Sequence, residues 1–507
     1  MSTKFSLGKM QFDVSLQAAT DAKPLDPEAP FCLGILGDFS GRAGQPRHEP
    51  LAQGRIRQLD VDNWAEVMSQ LGARLTLDFA QGPAIETAFA SLEDFHPDRL
   101  VQHIAPLAKL CDQRRNLLAP ATAAAAEREL QDLLSAPPQP PTAAAKAEAP
   151  ASESEAATLA RLLGGAPAKP TPAPRSGVLG AVDSLLRTAV GPSVAPGASA
   201  GQAALLSVLD LELGRQLRSV LHHPRFQALE AAWRGVDLLV RNFGAEENLK
   251  VFIFDVSKEE LQADLKAQAT LDGSDLWKAL RRHHEDLRWA VWCGLYAFED
   301  SVADLETLGG LAKMAARLSA PFLAEASPHL AGCDSFEVHP DPDEWKRRIA
   351  PEIQAEWRAL RELSEASYLG LVLPRFLLRQ PYGKDSDPIE AFPFQELEPD
   401  SPHDSYLWGN PAVVCAHLLA CAFQDEGWAM RPCGPGELSG LPVYKFREGD
   451  ETKVKPCAEA WLHSRAIERL TASGLMPLAS IKGRDAVRLV ELQSVRSPSG
   501  PLAGPWG

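Results

Sequence analysis

Residues 137–201 are dominated by Ala, Pro, Ser and Gly, as in Pro137-Pro138-Gln139-Pro140-Pro141 and Ala166-Pro167-Ala168-Lys169-Pro170. Such a stretch offers too little apolar surface to offset the entropy lost on ordering it. It predicts a flexible, partly extended, disordered linker, which divides the chain into modules of residues 1–136 and 202–507. At 507 residues the chain is in any case too long for one core. Two short apolar patches interrupt the linker, at residues 159–163 and 178–190. In the second, Val178, Val182, Leu185, Leu186 and Val190 recur at helical spacing. That pattern suits a helix packing back on the second module, or one that docks a partner.

Both modules read as mixed α/β. In the first, residues 11–16 alternate as a half-buried strand, and residues 31–36 form the continuous apolar run of a fully buried one. A turn, Gly37-Asp38-Phe39-Ser40-Gly41-Arg42, follows. A helix is predicted over residues 63–71, a strand over 74–79, a helix from the turn at 91–98 through about Leu110, and a last helical piece over 127–134. In the second module, residues 205–221 read as a helix that Pro224 restarts, with Phe226, Leu229, Trp233, Val236 and Val240 on one face. Strands are predicted over 249–256, from Trp289 through Leu295, over 322–326 and over 368–373. Ser257 and Glu260 form a capping box, a helix spans 301–318, and Asn410-Pro411 opens another that ends before Gly427.

The formal net charge of -16 argues against a nucleic-acid partner, since phosphate binding needs surplus Lys and Arg. Eight scattered cysteines without a C-x-x-C pair fit free thiols in a reducing cytoplasm. The N-terminus lacks the apolar core of a secretory signal, and no apolar run is long enough to span a membrane. The expected location is cytoplasmic, without membrane insertion.

No pattern for catalysis stands out, and neither a cofactor nor a metal is expected. The turn at Asp38 follows a strand, as a phosphate loop does, yet it lacks the Lys and Ser/Thr of a Walker loop and the spacing of a dinucleotide fingerprint. His222-His223 and His283-His284 are adjacent pairs, which point about 100° apart on a helix and suit one metal poorly. Cys415, His417 and Cys421 do not share a face well, and His96 reads as part of a helix start capped by Asp.

The most distinctive stretch is residues 356–383, rich in Arg, Trp and Tyr but without a nucleophile. Such residues anchor protein–protein contacts. Arg361, Arg375 and Arg379 would form either an anion site or structural ion pairs, with Glu356, Glu362 and Glu365 or with a neighbouring subunit. Trp233, beside Arg234, is a core residue of its apolar face or an interface anchor. The candidate structural or interface set is Asp38, Trp233, Arg234, Trp357, Arg361, Arg375, Arg379, Tyr382, Trp408 and Asn410.

At these residues the chain resembles the contractile sheath proteins of the type VI secretion system. The first module resembles the small subunit, TssB (VipA), in Phe31-Cys32-Leu33-Gly34-Ile35-Leu36-Gly37-Asp38-Phe39-Ser40-Gly41, in Val61-Asp62-Asn63-Trp64 with Val67-Met68, and in Leu92-Glu93-Asp94-Phe95-His96-Pro97-Asp98. The second resembles the large subunit, TssC (VipB). The residues that carry this are Leu221-His222-His223-Pro224-Arg225-Phe226-Gln227-Ala228-Leu229-Glu230 with Trp233-Arg234-Gly235, Val256-Ser257-Lys258-Glu259-Glu260-Leu261, and Glu356-Trp357-Arg358 with Leu360-Arg361-Glu362. Leu373-Pro374-Arg375-Phe376-Leu377-Leu378-Arg379 with Pro381-Tyr382-Gly383, and Leu407-Trp408-Gly409-Asn410, complete the set.

The resemblance implies a natural fusion of two subunits that in the family form a heterodimer. The heterodimer polymerises as a sheath around the Hcp tube, contracts to drive export, and is recycled by the ClpV unfoldase, with no catalysis in the sheath. Expected partners are further sheath subunits, Hcp, the baseplate and ClpV. Two departures bear on this. The family's large subunit continues well past the region near Met476, where this module is shortened, and Trp292-Cys293-Gly294-Leu295-Tyr296-Ala297-Phe298-Glu299-Asp300 stands where a Gly-Gly-Glu-type stretch is expected. The alternative is a sheath-derived accessory protein that binds a sheath end, baseplate or tube without polymerising.

Overall fold

The computed structural model describes residues 3–7, 10–14, 26–45, 50–79, 84–135, 198–268, 270–398, 400–432 and 434–506. The helix predicted over residues 178–190 lies outside them. Helices and strands alternate and the architecture is mixed α/β. Two compact units emerge: one of Met1–Leu77, Ile85–Ala108 and Gly214–Gly507, the other of Asp78–Ala84 and Lys109–Leu213. The composition break near residue 137 divides the sequence, whereas the larger compact unit draws on both sides of it.

The larger unit is built on a nine-stranded sheet. Its spatial order is Gly436–Leu438, Val487–Leu489, Met476–Ser480, Leu369–Leu373, Phe322–Ala326, Trp289–Phe298, Phe31–Gly37, Leu249–Asp255 and Arg57–Leu59. Neighbours from the Met476 strand to the Leu249 strand pair in parallel, and the pairings beyond them are antiparallel. Numbered along the chain, the parallel strands that begin at Phe31, Leu249, Trp289, Phe322 and Leu369 stand in the order 2-1-3-4-5. This is a doubly wound arrangement.

The Phe31 strand belongs to the first sequence module, yet both its neighbours come from the second. Phe31 lies opposite Leu249 and Gly37 opposite Asp255 on one side. Leu33 lies opposite Val291 and Leu36 opposite Gly294 on the other. All seven residues are buried, and a parallel strand covered on both faces needs such an unbroken apolar run. A Cβ on Gly34 would lie 2.3 Å from the Trp292 ring, so the indole packs directly on bare backbone.

Helix Pro224–Phe243 buries Phe226, Leu229, Trp233, Val236 and Val240, the face that its spacing predicts. Ser257 and Glu260 form the expected capping box on helix Lys258–Ala267. Helix Ala412–Glu426 packs on the Trp289 strand and on the Pro224 helix.

Two local readings need correction. The helix predicted through Leu110 is a 3-10 turn, Leu92–Phe95, then helix Pro97–His103, then helix Ala105–Leu118. The break falls at Ile104, which is extended. Pro106 explains it, because proline has no N–H to continue the ladder. The strand read at 11–16 is Met10–Val14, with residues 15–16 outside the described residues. It pairs antiparallel with Thr3–Leu7, setting Phe5 opposite Phe12.

In the smaller unit, Arg114 Nε donates to Asp210 Oδ1 at 2.6 Å and the Gln202 amide donates to the Leu117 carbonyl. Among the described residues no helix is long and apolar enough to cross a membrane.

Candidate functional site

In doubly wound sheets, ligands sit outside the carboxyl ends of the strands, where the strand order reverses. Here that place is the end of the Phe31 strand, at Asp38. The turn requires glycine at residue 41: its φ is +77° and a Cβ would lie 2.3 Å from the Arg74 carbonyl oxygen. Backbone amides bunched in such a turn make a natural anion cradle. In this chain the protein's own carboxylates fill it. Asp38 accepts from the Arg42 and Ala43 amides at 2.6 and 3.0 Å. Asp255 accepts from the Phe39 and Ser40 amides at 2.8 and 3.1 Å, and from the Ser40 hydroxyl at 2.7 Å. Arg42 closes the turn with a bidentate bond to Glu260 at 2.8 and 2.7 Å. Burial pushes the Asp38 and Asp255 carboxyls upward, and these hydrogen bonds oppose it.

Trp233 ties the turn to the Pro224 helix. Its indole is fully buried and donates to the Phe39 carbonyl at 2.9 Å. It meets the Phe39 and Trp64 rings edge-on at 5.3 and 5.5 Å. The Leu221–Trp233 stretch of the second module thus closes on two of the three matching stretches of the first, and its Phe226 meets Phe95 of the third.

A buried ion network joins the remaining signature stretches. Arg379 donates to Glu230 at 2.9 Å and to both Glu396 oxygens at 2.8 and 3.0 Å. Its guanidinium lies over the Tyr382 ring, 4.2 Å from the centroid. Arg234 donates to Glu230 at 2.7 Å and to the Tyr382 hydroxyl at 3.4 Å. Glu396 also accepts the Tyr382 amide at 2.7 Å. Glu230 is 0% exposed and Glu396 1%. Burial alone would raise the Glu230 carboxyl, but the charges of Arg379 and Arg234 outweigh it and hold the group below its usual range.

Arg375 anchors a second network. It pairs with Glu459 and, at 2.9 Å, with Asp404, and its guanidinium lies near the Trp408 ring. His403 reaches Glu459 at 3.0 Å. Burial would raise Glu459, yet the His403 hydrogen bond and the Arg375 charge hold it down at about 2. Asn410 Nδ2 donates to the Tyr296 carbonyl at 3.2 Å, while its Oδ1 accepts the Ala412 amide at 3.0 Å and starts the next helix.

The ion-pair partners therefore differ from those expected. Arg375 and Arg379 pair with Glu459, Asp404, Glu230 and Glu396, not with Glu356, Glu362 or Glu365, and they are not a shared anion site with Arg361. Arg361 donates to the Val495 carbonyl at 2.8 Å, and burial lowers its pKa. It shares a cleft of about 400 Å³ with Trp357, Ile353 and Ser497. Trp233, Arg379, Tyr382 and Trp408 are buried within this chain's own fold.

Glu230, Glu396, Glu459 and Asp255 were missing from the sequence-derived set. Glu230 alone left a signal: an acid between Phe226 and Trp233 on an apolar helix face demands a buried cation. The histidines and cysteines that sequence singled out have other work. Asp94 caps the turn at Leu92–Phe95 with Ser91, as expected of an Asp, and His96 and His223 cap the helices that follow them by accepting the Asp98 and Arg225 amides at 3.3 and 3.2 Å. His417 Nε2 meets Cys421 Sγ at 3.5 Å, and burial lowers the His417 pKa to about 4. The described cysteines are free thiols. Glu299, Asp300 and His329 bring three ligand-type atoms together. There His329 meets Glu299 at 2.8 Å and Asp300 holds Arg347 at two distances of 3.1 Å.

Comparison with known proteins agrees with this geometry. Residues 203–496 match the family described as EvpB/VC_A0108, tail sheath N-terminal domain, and residues 9–146 match the family described as Type VI secretion system, VipA, VC_A0107 or Hcp2. The chain is similar to the type VI secretion system sheath protein TssC1 of Pseudomonas aeruginosa, 34% identical over 307 residues, which are 58% of this chain and 61% of that protein. It is also similar to the sheath protein TssB1 of the same organism, 24% identical over 115 residues, which are 22% of this chain and 64% of that protein. The chain thus spans less than two thirds of the length of either relative. With the large-subunit family covering more than half of it, and the small-subunit family matching ahead of it, the chain belongs to the type VI secretion system tail-sheath family.

Proposed function

We propose that this chain is a structural sheath subunit in which small- and large-subunit parts are fused into one protomer. It self-associates around an Hcp-type tube and has no catalytic role. The observation that carries the reading is the Phe31 strand: it is interior to a sheet whose flanking strands come from the large-subunit part. A heterodimer interface of the family thereby becomes an intramolecular one, at one-to-one stoichiometry and high effective concentration. The carboxylate-filled turn at Asp38 supports a non-enzymatic role, because its amides are spent on the fold. Contacts with the baseplate and recycling by ClpV, in the cytoplasm, belong to the same proposal.

Electron microscopy of the purified full chain, alone and with Hcp, tests it. Tubes or tube segments of regular diameter are the expected result. Monomers and small oligomers under all conditions, with Hcp or baseplate bound at a fixed small stoichiometry, would instead establish the non-polymerising accessory reading.

A further inference from the structure

A pocket of about 430 Å³ opens at the carboxyl ends of the Trp289 and Phe322 strands, beside the first turns of the Pro224 helix. This is again the end of a doubly wound sheet where ligands sit, one strand further along than the filled turn at Asp38. Its size is that of a small-ligand site. Ala228, Ala231 and Leu295 give it apolar walls, and Trp408 adds a ring.

Its polar groups are unevenly satisfied. Arg375 already holds Glu459 and Asp404. Glu325 also lines the pocket, and its side chain has no hydrogen-bond or ion-pair partner among the described residues. The Glu325 side chain is half-buried, and a carboxylate drawn partly out of water gains from a cation that meets it. The groups acting on Glu325 are the cations Arg375 and Lys258, on separate loops and helices, and the acids Glu459 and Glu299. Burial outweighs the cations and pushes its carboxyl to about 8. Glu325 is therefore largely protonated at neutral pH, and it becomes a carboxylate at the base of an apolar-walled pocket when a cation meets it.

We propose that this pocket binds an alkylammonium group, with Glu325 as its counter-ion and the alanine-rich wall of the Pro224 helix against its alkyl chain. The group would come from a free amine or from a lysine side chain of a second copy of the chain. The inference does not depend on sheath assembly, because the pocket is complete within one chain.

The test titrates n-butylammonium chloride into the full-length protein by calorimetry at pH 7 and pH 9, with Glu325→Gln as the comparison. Saturable binding that tightens at the higher pH is expected, with proton release at pH 7. Glu325→Gln should weaken it about tenfold or more, as loss of a charge-assisted hydrogen bond does. Thermal unfolding provides a second reading without ligand. The raised Glu325 pKa means that the folded state binds the proton more tightly, so stability falls as pH rises from about 4.5 toward 8, and Glu325→Gln should remove that part of the decline. No saturable binding at either pH, or equal binding by Glu325→Gln, would overturn the proposal. If binding is confirmed, butylammonium that also disperses self-associated protein identifies the source as a lysine of a second copy. Binding that leaves the self-associated protein intact identifies a free amine.

Discussion

Arg379→Met should lower the unfolding free energy by about 3–5 kcal/mol, the usual cost of leaving a buried charge without its partner. Arg379 is the sole cation that hydrogen-bonds both Glu230 and Glu396 among the described residues. Without it, Glu396 loses its bidentate partner, and Glu230 keeps only Arg234. The sign with pH follows. Glu230 is held low in the folded protein, so it contributes stability above its unfolded pKa and loses that contribution as pH falls. Removing Arg379 weakens that hold, because Glu230 then keeps only the Arg234 charge against the cost of its burial. The variant's deficit should be larger at pH 8 than at pH 5, as measured by urea unfolding. Adding Glu396→Gln removes the carboxylate left without its bidentate cation and should restore part of the loss. A deficit below 1 kcal/mol at pH 8 would contradict the buried network.

Trp233→Ala should cost a similar amount, about 3–5 kcal/mol, as large-to-small changes of fully buried aromatic residues do. The loss combines the packing against Phe39 and Trp64 with the orphaned Phe39 carbonyl. Trp233→Phe separates the two. It keeps most of the ring contact but removes the N–H donor, and should cost about 1–3 kcal/mol. Because Phe39 and Trp64 lie in the small-subunit part, Trp233→Ala should also loosen the hold of one part on the other. Hydrogen exchange across the Phe31 strand would then rise above that expected from global stability alone. Protection that stays unchanged after correction for stability would place the Trp233 contact outside the coupling of the two parts.

Much of the local structure was legible because its causes are local. The unbroken run from Phe31, the capping box at Ser257 and Glu260, and the apolar face of the Pro224 helix each state their own geometry in a few residues. Pro106 was an equally local signal for the break at Ile104, but the periodicity around it masked it. What sequence spacing does not encode is which distant elements meet. The insertion of the Phe31 strand between strands that begin at Leu249 and Trp289 is a parallel pairing with no turn to mark it, and parallel neighbours are joined only through long crossovers. The arginine partners were misplaced for the same reason. Glu356, Glu362 and Glu365 are near in sequence, whereas Glu230 reaches Arg379 across 149 positions and Glu459 reaches Arg375 across 84. The family signature contains Trp233, Arg375, Arg379, Tyr382 and Trp408, but not Glu396, Glu459 or Asp255. The roles of Arg375 and Arg379 as ion pairs within the chain came from the fold.

The central claim is that one sheet is built from both halves of the chain. Cutting the chain at a protease site engineered near residue 170, followed by gel filtration under native conditions, tests it most directly. The fragments should co-elute as a single one-to-one species, because separation would expose both edges flanking the Phe31 strand and uncover Trp233. Two separately eluting, folded fragments would contradict the account.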